Sequence, residues 1–204
     1  MSLLRTFIAV DIPRPIQGTL QQKINDLRKA IGDSCVRWVK ADTIHLTLKF
    51  LGDVSPANVE ILTQMLRTEA ESCQPFDITI SGLGSFPNSK RARVLFIGIQ
   101  APAGLEALQR GIESAAERLG YESEGRPFSP HLTIGRVRQE ASSSDLQRIR
   151  RVLEETKIDS LGTARVDSVH LYKSDLKPSG PVYTKLFSAS LSTVSANEAK
   201  QSPR

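Results

Sequence analysis

One phrase occurs twice in this chain. His45-Leu46-Thr47-Leu48 returns 86 residues later as His131-Leu132-Thr133-Ile134. Only three histidines are present in 204 residues, and two of them open these phrases. The alternation of apolar and polar positions reads each phrase as a strand, and side chains two apart on a strand share a face. Each copy therefore offers an imidazole and a hydroxyl side by side. A chain that does this twice is constrained to a duplicated fold that brings the two strands to a common place.

The surrounding elements repeat in the same order: strand, proline, helix, His-x-Thr strand, helix, strand. The first copy covers about residues 3–87 and the second 91–174. In the first, Leu3 to Ile12 is a strand ended by Pro13 and Pro15. Ile16, Leu20, Ile24, Leu27 and Ile31 then mark one face of a helix stopped by Gly32. Val36 to Val39 is a short strand, and Trp38 within it is expected in the core. After the first motif, Ser55-Pro56 reads as a cap and first position of a helix carrying Val59, Leu62, Leu66 and Ala70. Phe76 to Ile80 is a strand, followed by a Gly-rich loop through Phe86-Pro87-Asn88.

In the second copy, Arg93 to Ile99 is a strand, and Leu105, Leu108, Ile112, Ala115 and Leu119 face one side of a helix. Beyond the second motif, Ser144-Asp145 caps a helix bearing Leu146, Ile149 and Leu153. Thr163 to Lys173 reads as one strand. Pro178 to Pro181 turns into a closing strand over 182–191, and residues 194–204 lack any apolar period and read as a disordered tail. The expectation is an α+β, bilobal, pseudo-twofold fold. Two mainly antiparallel sheets with outer helices surround a central cleft, in a single domain over residues 1–193.

Composition narrows the function classes. A net charge of +5 without a dense Lys/Arg run favours anionic partners but implies no polybasic tail. No stretch approaches the roughly 18 apolar residues of a membrane span, and the N-terminus lacks a signal-peptide pattern. Cys35 and Cys73 stand far apart without a CxxC, so neither a metal knuckle nor a disulfide framework is expected. A cytoplasmic protein with reduced thiols follows.

Two imidazoles can divide acid and base work near neutral pH. The duplicated His-x-Thr pattern resembles the 2H phosphoesterase superfamily, and within it the RNA 2′,3′-cyclic phosphodiesterases, also called 2′-5′ RNA ligases. Arg5 to Val10, His45 to Gly52, Phe86-Pro87, Arg126 to His131, Tyr172 to Leu176, Gly180 and Tyr183 carry the likeness, over essentially Leu3 to Leu191. The resemblance implies metal-independent opening of an RNA or nucleoside 2′,3′-cyclic phosphate to a 2′-phosphate, with no cofactor. It implies His45 as proton donor and His131 as proton acceptor, a direction the nearly symmetric repeat does not fix by itself. Thr47 and Thr133 are expected to hold the non-bridging phosphate oxygens. The ligase name records the joining of a 2′,3′-cyclic phosphate end to a 5′-hydroxyl in a 2′-5′ bond, which the same histidines would serve. A monomer is expected, because duplication already supplies the twofold.

Lesser candidates have two readings each. Arg136 stands where the family pattern carries an arginine for phosphate, yet simple strand parity turns it away from His131 unless the strand bends. Lys49 shares parity with His45 and Thr47 and reads either as an attractor of RNA or as a solvated surface residue. Phe7 reads as a base-stacking ring or as core. His170, in Val169-His170-Leu171, lacks the following Thr and reads as a surface or edge-strand residue. Two other functions compete: a module that binds an RNA end without turnover, and a metal hydrolase. The second is disfavoured because no Cys or acidic residue sits at ligand spacing beside either motif.

Overall fold

The structure, a computed structural model, describes residues 2–178 and 180–193. The expected tail at 194–204 and Ser179 of the expected turn lie outside the described residues. The strands are β1 (Leu4–Asp11), β2 (Val36–Trp38), β3 (His45–Val54), β4 (Phe76–Phe86), β5 (Val94–Gln100), β6 (His131–Val137), β7 (Gly162–Val166), β8 (Ser168–Lys177) and β9 (Gly180–Ser190). The helices are α1 (Arg14–Ile31), α2 (Val59–Glu71), α3 (Ala103–Arg118) and α4 (Ser143–Glu155).

The helices form where apolar spacing required them. In α1, Ile16, Leu20, Ile24, Leu27 and Ile31 are all buried, and Gly32 ends the helix at φ 100°, a conformation that favours glycine. Helix α3 buries Leu105, Leu108, Ile112 and Ala115. Two helix starts differ from expectation. Ser55-Pro56 opens a 3-10 turn, Pro56–Asn58, with no side-chain cap bond, and α2 begins only at Val59. The cap of α4 is Ser142, which exchanges hydrogen bonds with Asp145 in a capping box, so Ser144 lies inside the helix.

Two antiparallel sheets result, ordered β3-β1-β8-β9 and β2-β6-β5-β4-β7. Strand β1 is central to the first and buries Thr6 through Val10 as a continuous run. The stretch expected as a single strand over 163–173 is two strands that break at Asp167 and belong to different sheets. The expected Gly-rich loop before Phe86 is the second half of β4, which pairs with β5 from Leu83 to Phe86. Neither sheet therefore corresponds to one copy of the repeat. The first copy's β4 pairs with the second copy's β5, and the second copy's β8 pairs with the first copy's β1. Backbone pairing belongs to the folded chain rather than to local periodicity, so the sequence pattern does not reveal this exchange.

No helix among the described residues is long and apolar enough to cross a membrane. Both cysteines are free thiols.

Candidate active site

Strands β3 and β6 are equivalent in the two halves, and they share an irregularity. Thr47 pairs with Ala9 and Lys49 with Ile8, leaving Leu48 as an extra residue. In the other half, Thr133 pairs with Phe96 and Gly135 with Leu95, leaving Ile134 as the extra residue. A bulge of this kind shifts the in-out alternation of everything beyond it. Leu46, Leu48, Lys49 and Leu51 turn inward, while His45, Thr47 and Phe50 share the other face. Likewise Leu132, Ile134 and Val137 are buried, while His131, Thr133 and Arg136 face outward.

The bulge removes the parity objection to Arg136, which stands on the same face as His131 and Thr133. It overturns the expected placement of Lys49. That side chain is 1% exposed, with Nζ donating to Glu113 Oε1 at 2.6 Å and to the Glu122 carbonyl at 2.6 Å. It is neither a surface cation nor an attractor of RNA. Its equivalent is Gly135, where a Cβ would come within 2.8 Å of Val36 Cγ1 on β2.

Each motif histidine is clasped alike. His45 Nδ1 lies 3.0 Å from the carbonyl oxygen of Thr43, and His131 Nδ1 lies 2.7 Å from that of Ser129, two residues upstream in both cases. A carbonyl only accepts, so Nδ1 carries the hydrogen and Nε2 is left for proton transfer. Burial pushes the pKa of His45 below the usual histidine value, opposed by the Thr43 carbonyl and by the charge of Asp11.

Aromatic rings fix both imidazoles, and each set draws on both copies. His45 packs 4.7 Å from Phe7, 5.0 Å from Tyr183 and 6.4 Å from Tyr172. His131 packs 4.9 Å from Phe86 and 5.3 Å from Phe96. Phe7 is 3% exposed, and its ring lies against His45, Tyr172 and Tyr183. That packing answers to the core reading and leaves the ring no free surface for a base. Phe50, missed from the sequence, is 56% exposed on the His45 face with its ring 6.2 Å from Phe7.

The strands that carry the two motifs approach each other across the two sheets. Cα atoms of β3 and β6 approach within 8 Å, and the charges of Arg136 and Arg5 act on Tyr183, which abuts His45. Trp38 is partly buried against the core, as expected. His170 is not on the surface or an edge: it is 5% exposed on the interior strand β8, beside Ser188 Oγ at 2.9 Å and 3.5 Å from Asp11. Among the described residues, no group of three or more His, Cys, Asp or Glu side chains is placed to hold a metal ion.

Residues 10–96 and 97–183 each match the family described as LigT like Phosphoesterase. The chain belongs to this family. The two matches divide the LigT-like chain at the second copy's first strand, in keeping with the duplication read from its motifs. It is 32% identical over 183 residues to the RNA 2′,3′-cyclic phosphodiesterase of Methanothermobacter thermautotrophicus, covering 90% of this chain and 96% of the relative. It is 33% identical to the protein of that name from Methanocaldococcus jannaschii, covering 88% and 96%. The crystal structure of Escherichia coli LigT complexed with 3′-AMP superposes with a TM-score of 0.74 at 27% identity, covering 93% of this chain and 98% of that one. The crystal structure of TT0787 from Thermus thermophilus superposes at 0.77 and 28% identity, covering 92% and 98%. The expected family and the expected α+β duplicated fold both hold.

Proposed function

We propose that this LigT-like chain hydrolyses the 2′,3′-cyclic phosphate of an RNA end or nucleoside to a 2′-phosphomonoester. The carrying observation is the matched pair of imidazoles, each with Nδ1 committed to a carbonyl two residues upstream and each with a threonine on the same face. The relatives named RNA 2′,3′-cyclic phosphodiesterase, and the 3′-AMP bound to Escherichia coli LigT, support a nucleotide substrate.

In this reading, His131 Nε2 takes a proton from water as its oxygen attacks phosphorus. His45 Nε2–H gives a proton to ribose O3′ as the P–O3′ bond breaks. Each transfer is typically worth ~10²–10⁴-fold in rate. Thr47 and Thr133 hydroxyls donate to the non-bridging oxygens, and Arg136 holds the growing negative charge. Phe50, rather than Phe7, offers a face to the base. Phe7 instead supports the His45 ring. With a 5′-hydroxyl in place of water as the attacking group, His131 would take its proton and His45 would protonate O3′ as before, and the same groups would join a 2′-5′ bond. No step asks for a metal or cofactor. Residues 1–193 act as one bilobal unit, because the rings around each histidine come from both copies.

The test is to incubate an RNA ending in a 2′,3′-cyclic phosphate with the protein and EDTA, and to follow products by phosphorus NMR. A 2′-monophosphate is expected, with turnover reduced ~10²–10⁴-fold in His45→Ala and in His131→Ala. Binding without conversion would replace the reading with an RNA-end-binding module. Abolition by EDTA with rescue by added metal would replace it with a metal hydrolase.

A further inference from the structure

The duplication leaves the two motif histidines nearly equivalent in sequence, yet their cross-strand partners differ. His45 faces Asp11 across the β1–β3 ladder, while His131 faces Gly98 across β5–β6. No carboxylate fits at the second position, since even a Cβ on Gly98 would come within 2.8 Å of the Ser81 carbonyl oxygen. We propose that Asp11 is a positioning residue that holds the proton on His45 and so makes it, rather than His131, the donor. This rests on the two-imidazole reading above.

The carboxylate is built into place. Oδ1 accepts from the Tyr172 hydroxyl on β8, and Oδ2 accepts from Lys185 Nζ on β9 at 2.8 Å. His170 Nε2 on β8 lies 3.5 Å from Oδ2, with its own Nδ1 at 2.9 Å from Ser188 Oγ. Tyr172 touches both sides, since its ring lies 6.4 Å from that of His45. The charged groups facing this corner are therefore Asp11 from β1, His170 from β8 and Lys185 from β9. The charges of Arg5 and Arg136 act on Tyr183. Asp11 is the negative member, and its charge favours imidazolium at His45, where burial opposes it. Lys185 partly offsets that charge.

Asp11→Asn keeps the shape and an acceptor but removes the charge. Its effect is read in two ways that a purely structural role would not move. By proton NMR of the free protein, the His45 midpoint is expected to fall by about one pH unit, with His131 as an unmoved internal control. Turnover near pH 8 is expected to fall ~10-fold at similar KM. The deficit should close as pH drops below both His45 midpoints, because a loss of one unit in proton affinity costs tenfold only above them. Asp11→Glu should restore much of both, and Lys185→Met should move the His45 midpoint upward. An unmoved His45 midpoint, or a shift shared equally by His131, overturns the proposal. So does a rate loss independent of pH, or an undiminished rate at pH 8. The NMR arm needs no turnover, so it separates this proposal from the cyclic-phosphate reading.

Discussion

Lys49 tests the bulge directly, because only the shifted alternation makes it an interior cation. Its Nζ lies 2.6 Å from a carboxylate that is itself 19% exposed. At an effective dielectric of about 20, a pair at that distance attracts by about 6 kcal/mol, against which stands the cost of taking both charges out of water. Replacing Lys49 by Met removes the attraction and leaves the Glu113 carboxylate with the Glu124 amide at 2.8 Å as its remaining partner. Its second oxygen, Oε2, is buried without a hydrogen bond. Breaking a buried pair from one side typically costs about 3–5 kcal/mol. The residual exposure of Glu113 sets the expectation at the lower end, about 3 kcal/mol. In urea unfolding, with a slope of about 2 kcal/mol/M, the midpoint should fall by about 1.5 M. Adding Glu113→Gln should bring stability back to within about 1 kcal/mol of wild type, since the orphaned charge is gone. Were Lys49 an RNA attractor instead, Lys49→Met would leave the midpoint alone and flatten the dependence of KM on salt. A loss below about 1 kcal/mol, or a double variant no better than the single, would refute the interior assignment.

Further outcomes follow from the same geometry. Phe50→Ala should slow cleavage of a nucleoside 2′,3′-cyclic phosphate about tenfold while leaving ribose 2′,3′-cyclic phosphate, which has no base to stack, within twofold; equal losses on both would remove the stacking role. Burial holds the pKa of both His45 and His170 below the usual 6.5. The unfolded chain therefore takes up these protons first on acidification. The stability they support is fully present above about pH 6.5 and is lost as pH falls through the folded midpoints. Urea midpoints measured from pH 8 to pH 5 should decline, less steeply in His170→Gln; a midpoint that rises on acidification would contradict this.

Much of the candidate site was legible because the duplication made it so. His45 and His131 stood out as two of three histidines in matched phrases, and the threonines two residues on shared their face by strand geometry alone. The helices were legible from apolar positions spaced three and four apart. The bulges escaped a simple period of two, and Lys49 was misplaced for that reason. A signal was nevertheless present: the apolar positions run Leu46, Leu48, Leu51 and again Leu132, Ile134, Val137, stepping by two and then by three in both copies. A step of three in a strand is one residue too many, and reading it would have put Phe50 and Arg136 on the site face. The exchange of β4 and β8 had no such signal, because a strand's own pattern does not name its neighbour. His170 was misread for the same reason, since its burial comes from β1 and β9 on either side of β8.

The pattern of identity and difference between the halves follows the proposed reaction. In-line opening of a cyclic phosphate is nearly symmetric about phosphorus: one oxygen arrives losing a proton, another departs gaining one, and two non-bridging oxygens carry charge throughout. The groups those events need, His and Thr, are the same in both copies, and the two histidines are held by the same Nδ1 clasp. The rest of the substrate is not symmetric, and the copies differ where it would be met. At the first position past the bulge that faces the site, one copy offers an exposed ring, Phe50, and the other a guanidinium, Arg136. Opposite the histidine, one offers a carboxylate and the other a glycine. Each histidine also leans on a ring lent by the other copy, Tyr172 for His45 and Phe86 for His131. Neither copy alone therefore presents a finished half-site, and the strand exchange that hid the fold from its sequence is also what holds two equivalent imidazoles in inequivalent surroundings.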